Sequence, residues 1–440
     1  MKLFNVLIIF FFLTNCSFDK KTGIWKNEDL NSNTKIKQFD EFKSISSTQE
    51  KFNKIISFNE NYKFEKNNTI TNFEWEDIYY SKNNNLRNFK YDSENQLLFK
   101  SKKLTKYKIN ENILFKKNNL ITSDIKGNLI VFSINQNKIK SKYNFYKKKF
   151  KKIEKILNIV VEDDVIYVSD NLGFIYSFNY ENNKILWAKN YKIPFRSNIK
   201  ISKDKLILAN EKNTLFFIDK KNGETLRAIP TEESSVKNRF TNNLAISKNN
   251  LFFLNTYGSI YSLSIQSMKI NWFVNVNQSS DINPSNLFIS NKLIISKNRI
   301  FFPANNNFYI LDMNSGITIF KKGFSSQLNP LVINNILYTL DNDLLIATEL
   351  KTGKIIFSYN INQKISEFLD INKKKAHFKK LIFADNKIFI FLKNSYIVKV
   401  NANGSIDEII KLPEKINSNP IIIDNSLIFL NKGNRISIIN

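Results

Sequence analysis

One short pattern recurs along this chain, and the repeat restricts the possible folds more than any other feature. The clearest copy covers residues 165–189 and reads VIYVSDNLGFIYSFNYENNKILWAK. Two runs of mostly β-branched and aromatic residues are joined by Asp170, Asn171 and Gly173, a combination typical of a β-hairpin. A second turn leads into a third run that carries Trp187. Each copy therefore predicts three strands.

Eight copies can be counted, beginning at Leu120, Val165, Leu206, Leu251, Ile300, Ile336, Ile388 and Leu427. Most are preceded by one further apolar run, such as residues 199–202 or 330–333, which brings the number of strands to four. A period near 40–45 residues with four strands in each unit is typical of a β-propeller. Length alone would suggest two or three domains. The repeat instead predicts one all-β, eight-bladed propeller with four-stranded antiparallel blades over residues 96–440.

The two ends of the repeat array predict how the ring closes. The last copy, beginning at Leu427, stops after its second hairpin strand, and a strand-like run at residues 97–103 has no hairpin partner of its own. Pairing these two pieces would remove the open edges of the array, which are otherwise sites of aggregation. We therefore predict that both ends of the chain build the eighth blade.

The first 95 residues differ from the repeats in composition. Residues 3–13 form an apolar stretch that is too short for a permanent membrane helix and is typical of a signal peptide, predicted over residues 1–15. Residues 16–95 are rich in Asn, Lys, Ser and Glu and are predicted to be a mostly polar tether. Within it, Trp75, Tyr79 and Tyr80 are expected to anchor a more ordered part to the propeller rim.

The formal net charge of +27 favours either an anionic partner or a simple compositional bias. The lysines are scattered over predicted strand ends and loops, so we expect bias and no nucleic-acid partner. Two lysine-rich runs, near residues 147–152 and 373–380, fall between predicted blades, and anionic lipid headgroups are the alternative partner for them.

Cysteine and histidine are nearly absent, and this excludes several kinds of site. The chain has one cysteine, Cys16, and one histidine, His377. An intrachain disulfide, a zinc site of the usual Cys/His type and a Cys–His nucleophilic pair are therefore excluded. His377 follows a lysine run and is expected to be a solvated loop residue. We predict no catalytic residue, metal or cofactor.

The segment Leu13-Thr14-Asn15-Cys16 resembles the cleavage box of bacterial lipoprotein signals, although Asn15 is bulkier than the residue usual there. The resemblance implies that Cys16 becomes an acylated N-terminus, since several acyl chains on one residue anchor a protein stably. Ser17, rather than Asp, implies sorting to the outer membrane. The alternative is an ordinary signal peptide with a coincidental cysteine.

A short turn sequence that follows the second hairpin strand of several copies indicates the type of propeller. It contains Gly223, Gly316, Gly353 and Gly404, and outer strands carry Trp187, Trp272, Phe320 and Phe357 at one position. This looks like the PQQ-type repeat, in which the tryptophan is expected to dock against the neighbouring blade. No Trp-Asp dipeptide is present, which argues against the WD40 type.

Signal, tether and blades together resemble the BamB family of lipoproteins. The resemblance implies a non-catalytic scaffold of the outer-membrane β-barrel assembly machinery, lipid-anchored and facing the periplasm. It also implies binding to the barrel-forming subunit BamA through two successive inter-blade links, residues 231–243 and 277–286. Val236, Arg239 and Asp281 are the residues whose types fit these contacts. Exposed outer strands could also pair with unfolded outer membrane protein clients.

Two other functions stay open at this point. Quinoprotein dehydrogenases share the repeat and hold PQQ with a calcium ion in the central channel, using carboxylate and Asn ligands. Their adjacent cysteine pair is impossible here, and no carboxylate pair stands out among the turn residues. A propeller scaffold of a different envelope complex cannot be separated from the first reading by sequence.

Overall fold

The computed structural model describes residues 16–18, 25–27, 51–60, 62–147, 150–233, 241–277, 288, 292–370 and 375–440. The chain divides into two compact units, Met1–Gln49 and Glu50–Asn440. In the first unit, strand β1 (Cys16–Phe18) pairs antiparallel with β2 (Trp25–Asn27). Within the described ranges, we find no helix with the length and apolar character that crossing a membrane requires.

The described residues of the second unit form eight four-stranded antiparallel sheets, the predicted eight-bladed propeller. In blades 1–7, strands that follow one another in sequence are hydrogen-bonded neighbours, from the innermost to the outermost. Blades 1–4 contain β4 (Leu114–Lys116), β5 (Asn119–Ser123), β6 (Asn128–Ser133), β7 (Lys138–Asn144); β8 (Leu157–Glu162), β9 (Val165–Asp170), β10 (Phe174–Asn179), β11 (Lys184–Asn190); β12 (Lys200–Ser202), β13 (Lys205–Ala209), β14 (Leu215–Asp219), β15 (Thr225–Ile229); and β16 (Asn243–Ser247), β17 (Asn250–Leu254), β18 (Ser259–Ser264), β19 (Ile270–Asn275).

Blades 5–7 continue the same order. They contain β20 (Ile294–Ser296), β21 (Arg299–Ala304), β22 (Asn307–Asp312), β23 (Thr318–Lys322); β24 (Leu331–Ile333), β25 (Ile336–Asp341), β26 (Leu344–Glu349), β27 (Ile355–Asn360); and β28 (Phe378–Ala384), β29 (Lys387–Leu392), β30 (Tyr396–Asn401), β31 (Ile406–Lys411). The link between blades 6 and 7 contains helix α1 (Ile361–Leu369), which begins where Asn360 accepts a hydrogen bond from the Gln363 N–H and ends at the left-handed Asp370.

Blade 8 is built from both ends of the propeller unit, which confirms the predicted closure. Its inner three strands are β32 (Ile421–Ile423), β33 (Ser426–Leu430) and β34 (Ile436–Ile439), and its outermost strand is β3 (Leu97–Lys100). Strand β3 runs antiparallel to β34, with Leu97 opposite Ile439 and Lys100 opposite Ser437. The closing strand is shorter than the run at 97–103 suggests.

Strand burial explains why the repeat is so apolar. The second and third strands of a blade are covered on both faces by neighbouring blades, so β9 and β10 are almost continuously buried. An outer strand has fewer neighbours, and in β11 Trp187 is the one buried residue among exposed and half-buried ones. Continuous apolar runs followed by a mixed run are the expected sequence of such a blade.

The turns use asparagine and aspartate where glycine is scarce. About half of the described non-glycine residues with positive φ are asparagines, in keeping with their tolerance of the left-handed region. In the hairpin of blade 2, Asp170 Oδ1 accepts hydrogen bonds from the N–H groups of Leu172 and Phe174, both at 2.8–2.9 Å. Gly173 follows with φ +89°. The predicted turn residues therefore act as predicted.

The aromatic residue of an outer strand docks against the turn glycine of the next blade, as the repeat predicts. A Cβ added to Gly223 would lie 2.5 Å from the ring of Trp187, and one added to Gly316 would lie 2.8 Å from that of Trp272. The same relation joins Phe320 to Gly353. The Trp187 indole also donates to the Lys220 carbonyl at 3.0 Å. These contacts fix the spacing of neighbouring blades.

Candidate interaction face and central cavity

The residues predicted to contact a partner lie outside the described part of the chain. Val236 and Arg239 fall in residues 234–240, and Asp281 falls in residues 278–287. Their roles therefore remain predictions. Cys16 lies in β1, and its lipidation also remains a prediction. His377 is exposed in the chain segment that leads into β28.

Both ends of the first predicted contact link are held firmly between blades 3 and 4. The Glu232 carboxylate accepts hydrogen bonds from Ser259 Oγ at 2.5 Å and from the Tyr261 hydroxyl at 2.7 Å. Burial acts to raise the pKa of Glu232, but these hydrogen bonds outweigh it and hold the pKa below its usual value. At the other end, the Asn242 N–H donates to the Arg196 carbonyl at 3.2 Å. The link therefore emerges from a rigid base.

Residues 51–95, within the predicted tether, contact the blades at several of the described positions. The Phe52 N–H donates to the Gly323 carbonyl at 2.8 Å, beside the outer strand of blade 5. Ile56 exchanges two backbone hydrogen bonds with Ser358 in β27, the outer strand of blade 6. From there the chain passes to the centre of the ring.

Residues 70–91, called the plug below, lie across the centre of the propeller and contact the innermost region of every blade. The contacts in order of blade are Trp75 with Phe115, Glu76 with Val161, Asp77 with Lys200, Lys82 with Ile246, Asn83 with Ile295, Asn85 with Val332, Phe89 with Phe383, and Asn72 with Ile422. Most are hydrogen bonds to strand backbone. Because all eight blades contribute, the plug occupies the position where a propeller otherwise has its central channel.

An aromatic cluster anchors the plug. The ring centroids of Trp75 and Tyr80 are 4.8 Å apart, and those of Tyr80 and Phe89 are 5.0 Å apart. Trp75 is 1% exposed and Phe89 is fully buried. Trp75 and Tyr80 are thus anchors, as predicted, but at the inner strands rather than at the rim. Trp75 and Phe89 are buried in one apolar cluster with residues of the inner strands, such as Phe115 and Phe383.

A buried ion pair fixes the plug to blade 3. Lys200 Nζ donates to Asp77 Oδ2 at 2.7 Å, to the Ser81 carbonyl at 2.9 Å and to Asn84 Oδ1 at 2.5 Å. The Lys200 side chain is fully buried. Burial lowers its pKa, while Asp77 acts to raise it. All three ammonium protons have acceptors, which is the arrangement a buried lysine needs.

A cavity of about 190 Å³ lies against one side of the plug. Trp75, Tyr79 and Leu86 of the plug line it, together with three lysines, Lys292, Lys379 and Lys380. The remaining lining residues are Ile78, Asn84, Glu111, Asn112, Gln327, Leu328, Asn329, Pro330 and Asn419.

The lysines of this cavity sit over aromatic rings. Lys292 Nζ is 4.0 Å from the ring centroid of Tyr79, and Lys380 Nζ is 4.6 Å from that of Trp75. Burial lowers the pKa of Lys292 to about 7. Burial, followed by the charges of Lys292 and Lys379, lowers the pKa of Lys380 well below its usual value. The cavity therefore disfavours the charged form of both lysines.

The described residues do not fit a quinone held by a calcium ion. The plug fills the centre of the ring, and its aromatic side chains pack on each other and on the inner strands. Across the described ranges, no three His, Cys, Asp or Glu side chains converge as metal ligands would.

Comparisons with known proteins agree with this architecture. A family model described as outer membrane protein assembly factor BamB matches residues 121–359. No curated protein sequence matches the chain. BamB from Moraxella catarrhalis has a similar solved structure, with a TM-score of 0.61 and 15% identity over 78% of this chain and 99% of that one.

Enzymes of the same propeller type are also similar in structure. A europium-containing methanol dehydrogenase has a TM-score of 0.60 and 11% identity, over 83% of this chain and 89% of that one. A quinohemoprotein alcohol dehydrogenase from Comamonas testosteroni has a TM-score of 0.62 and 10% identity, over 83% of this chain and 80% of that one. At these identities the likeness shows the fold alone.

The blades, their aromatic–glycine contacts and the closure define an eight-bladed propeller of the PQQ-type repeat. The matched family model covers more than half of the residues. The chain belongs to the BamB family.

Proposed function

We propose that this chain is a non-catalytic scaffold lipoprotein of the outer-membrane β-barrel assembly machinery. In this proposal, residues 1–15 are a signal peptide, and an acylated Cys16 anchors the protein in the outer membrane, facing the periplasm. The propeller binds the periplasmic part of the BamA-like barrel-forming subunit and supports insertion of outer membrane proteins. Membership of the BamB family supports this proposal.

The plug is the observation that favours a scaffold over an enzyme. It contacts all eight blades and leaves a cavity of about 190 Å³ at the centre. A periplasmic PQQ-dependent dehydrogenase would need this centre for its quinone and calcium ion. That alternative predicts a quinone absorption band and a thermal shift with PQQ and calcium, and we expect neither.

The proposed contact face carries the links at residues 231–243 and 277–286, with Val236, Arg239 and Asp281 as contact residues. The fixed ends of the first link support this choice, since loops on a rigid scaffold are well suited to binding. The second link likewise starts beside a backbone hydrogen bond from the Val276 N–H to the Gly258 carbonyl, at 2.9 Å.

The test is purification of the tagged, full-length lipoprotein from detergent-solubilised membranes, followed by mass spectrometry of the proteins that accompany it. We expect a BamA-like barrel protein as the dominant partner. Charge reversal by Arg239→Glu or Asp281→Lys should reduce its recovery severalfold, because a like charge replaces a complementary one at the interface.

Arg227→Glu is the matched control, because Arg227 is exposed on β15 outside both links. The Arg227→Glu variant should recover as much of the partner as the unchanged protein does. If the dominant partner belongs to a different envelope complex, the protein is a scaffold of that complex and the proposed role in β-barrel assembly is wrong. Equal recovery with Arg239→Glu, Asp281→Lys and Arg227→Glu would remove the two links from the interface.

A further inference from the structure

The two faces of the ring carry different chain segments. In an antiparallel four-stranded blade, the link from the previous blade and the turn between the second and third strands lie at the same end of the strands. The turn between the first and second strands and the turn between the third and fourth lie at the other end. We call the first of these the link face and the second the turn face.

Exposed basic residues are concentrated on one part of the link face, called the basic arc below. The arc consists of the links at residues 101–113, 145–147, 150–156 and 412–420 and of the turns at residues 124–127, 393–395 and 431–435. Its exposed basic residues are Lys102, Lys103, Lys106, Lys108, Lys147, Lys151, Lys152, Lys393, Lys415, Lys432 and Arg435. Within these described residues, the exposed carboxylates are Glu111 and Glu154 alone.

The exposed lysines of the arc form no ion pair with a described residue, and the nearest such pair joins Lys100 to Glu414 at 2.5 Å. On the turn face, by contrast, Lys117 pairs with Asp164 at 3.0 Å, and Lys220 pairs with Glu162. Further carboxylates are exposed there, namely Asp163, Glu181, Asp204 and Glu224. A compositional bias alone would affect both faces alike. The arc is therefore a segregated patch of positive charge.

Two isoleucines are exposed among the lysines of the arc. Ile153 is 44% exposed and Ile156 is 52% exposed, and Lys151 and Lys152 directly precede Ile153. A small soluble anion offers such side chains no apolar contact. A membrane interface does, because apolar side chains enter the boundary between headgroups and acyl chains while neighbouring lysines contact anionic lipid.

The extent of the arc also fits a broad partner. Its segments come from blades 7, 8 and 1 and from the link into blade 2, and they are neighbours because β3 and β34 join both ends of the propeller unit in blade 8. A short acidic peptide would contact a few of these segments, whereas a membrane surface contacts all of them together. The links at residues 231–243 and 277–286 lie on the other side of the ring, next to blade 4, and stay free for a protein partner.

We propose that the basic arc binds an anionic phospholipid surface. Its lysines attract the lipid phosphates, and Ile153 and Ile156 enter the interface between the headgroups. Lys155 takes no part, because it is buried and donates to the Phe150 carbonyl. The inference needs neither the BamA-like partner nor acylation of Cys16.

The first test is co-sedimentation of residues 16–440 with lipid vesicles. Cys16→Ser is included so that no acyl chain contributes. We expect binding to vesicles of equal parts phosphatidylglycerol and phosphatidylcholine, and little binding to vesicles of phosphatidylcholine alone. The affinity should fall as salt is added, because ions screen exposed charges.

Removal of three arc lysines gives the decisive comparison. The combination of Lys108→Gln, Lys151→Gln and Lys152→Gln should weaken vesicle binding at least tenfold, since each lysine near an anionic surface contributes roughly a factor of five. The matched control combines Lys184→Gln, Lys221→Gln and Lys351→Gln, which are exposed positions at the turn face with the same change in net charge. The control should bind as the unchanged protein does. Circular dichroism and thermal unfolding check that both variants fold.

The second test concerns the apolar contact. Ile153→Ser with Ile156→Ser should weaken vesicle binding severalfold at unchanged net charge, because less apolar surface enters the interface. Leu186→Ser with Ile317→Ser is the control, since both side chains are exposed outside the arc, one on β11 and the other in a turn of blade 5 at the turn face. The control pair should leave the affinity unchanged.

Several results would overturn the proposal. Equal affinities of the two triple lysine variants would remove the arc from the binding surface, and equal binding to both kinds of vesicle would remove the role of charge. Binding of polyglutamate without binding of vesicles would make the partner an acidic polypeptide. Full vesicle binding by Ile153→Ser with Ile156→Ser would contradict entry of the arc into the interface. Since the vesicle experiments contain no other protein, their outcome is independent of the proposed function.

Discussion

At the scale of single residues, the turn glycine of the repeat is explained by the space that the aromatic ring of the preceding blade needs. Trp187, Trp272, Phe320 and Phe357 each lie against a turn glycine of the next blade, as Trp187 does against Gly223. Where Ser141 occupies that place, the next turn has Asn183, whose φ is +51°. Ser141 Oγ donates to Asn183 Oδ1 at 2.8 Å. Both turns are left-handed, so the ring rather than the backbone alone requires glycine.

Gly223→Ala should therefore destabilise the propeller by about 2–4 kcal/mol. The φ of +75° costs roughly 1 kcal/mol for a non-glycine residue, and the new methyl group would displace the ring of Trp187. Urea unfolding measures the change. In a Trp187→Ala background the same substitution should cost clearly less, since the ring is gone. An equal cost in both backgrounds would contradict a role for the ring.

At the scale of elements, the blades could be predicted from sequence, whereas the plug could not. A strand and its hairpin are encoded locally, by alternation and by turn residues such as Asp170 and Gly173. The plug has no such period, because its backbone groups pair with strands far away in sequence, as Trp75 does with Phe115 and Phe89 with Phe383. The aromatic residues in a polar segment were the only signal.

The lysine-lined cavity was hidden from sequence for a related reason. Lys292 and Lys380 are far apart in the chain and meet only because blades 5 and 7 face the same centre. The sequence shows two scattered lysines in a lysine-rich chain, which favours the interpretation as compositional bias. For most lysines that interpretation fits the exposed ion pairs, such as Lys189 with Glu224. The interpretation as compositional bias fails for Lys292 and Lys380, because their burial depends on closure of the ring and not on the local sequence pattern.

The Asp77–Lys200 pair should hold the plug in place. Asp77→Ala removes the carboxylate and leaves Lys200 buried, so it should cost about 3–5 kcal/mol in the free energy of unfolding. Replacing both residues, by Asp77→Ala with Lys200→Met, should recover part of this loss because no buried charge remains.

A surface pair provides the control for this prediction. Asp204 and Lys205 are 2.9 Å apart in blade 3, with Asp204 63% exposed. Asp204→Ala should cost less than about 1 kcal/mol, because water screens an exposed pair. Similar losses for Asp77→Ala and Asp204→Ala in urea unfolding would mean that the plug contributes little to the folded ring.

At the scale of the whole molecule, stability depends on joining the chain ends. The backbones of Gln96 and Asn440 exchange two hydrogen bonds, at 2.7 and 3.0 Å. At the other end of β3, the Ser101 N–H donates to the Ile436 carbonyl at 3.0 Å, and Ser101 Oγ accepts from the Ile436 N–H at 2.8 Å. The plug precedes β3 directly, so one stretch of chain both closes the ring and fills its centre.

Ser101→Pro should open this closure. Proline removes the N–H that bonds Ile436 and also the hydroxyl that accepts the return bond, directly after the last residue of β3. Two lost buried hydrogen bonds correspond to about 2–4 kcal/mol. We expect a lower urea midpoint and a broader transition, because an open ring lets terminal blades unfold before the others.

Lys103→Pro is the matched control for the closure, since Lys103 is exposed, follows β3 and lies outside the pairs with β34. It should leave both the midpoint and the width of the transition nearly unchanged. If Ser101→Pro unfolds like Lys103→Pro, the pairing of β3 with β34 does not hold the ring together. The plug and the aromatic–glycine contacts would then be sufficient for cooperative folding.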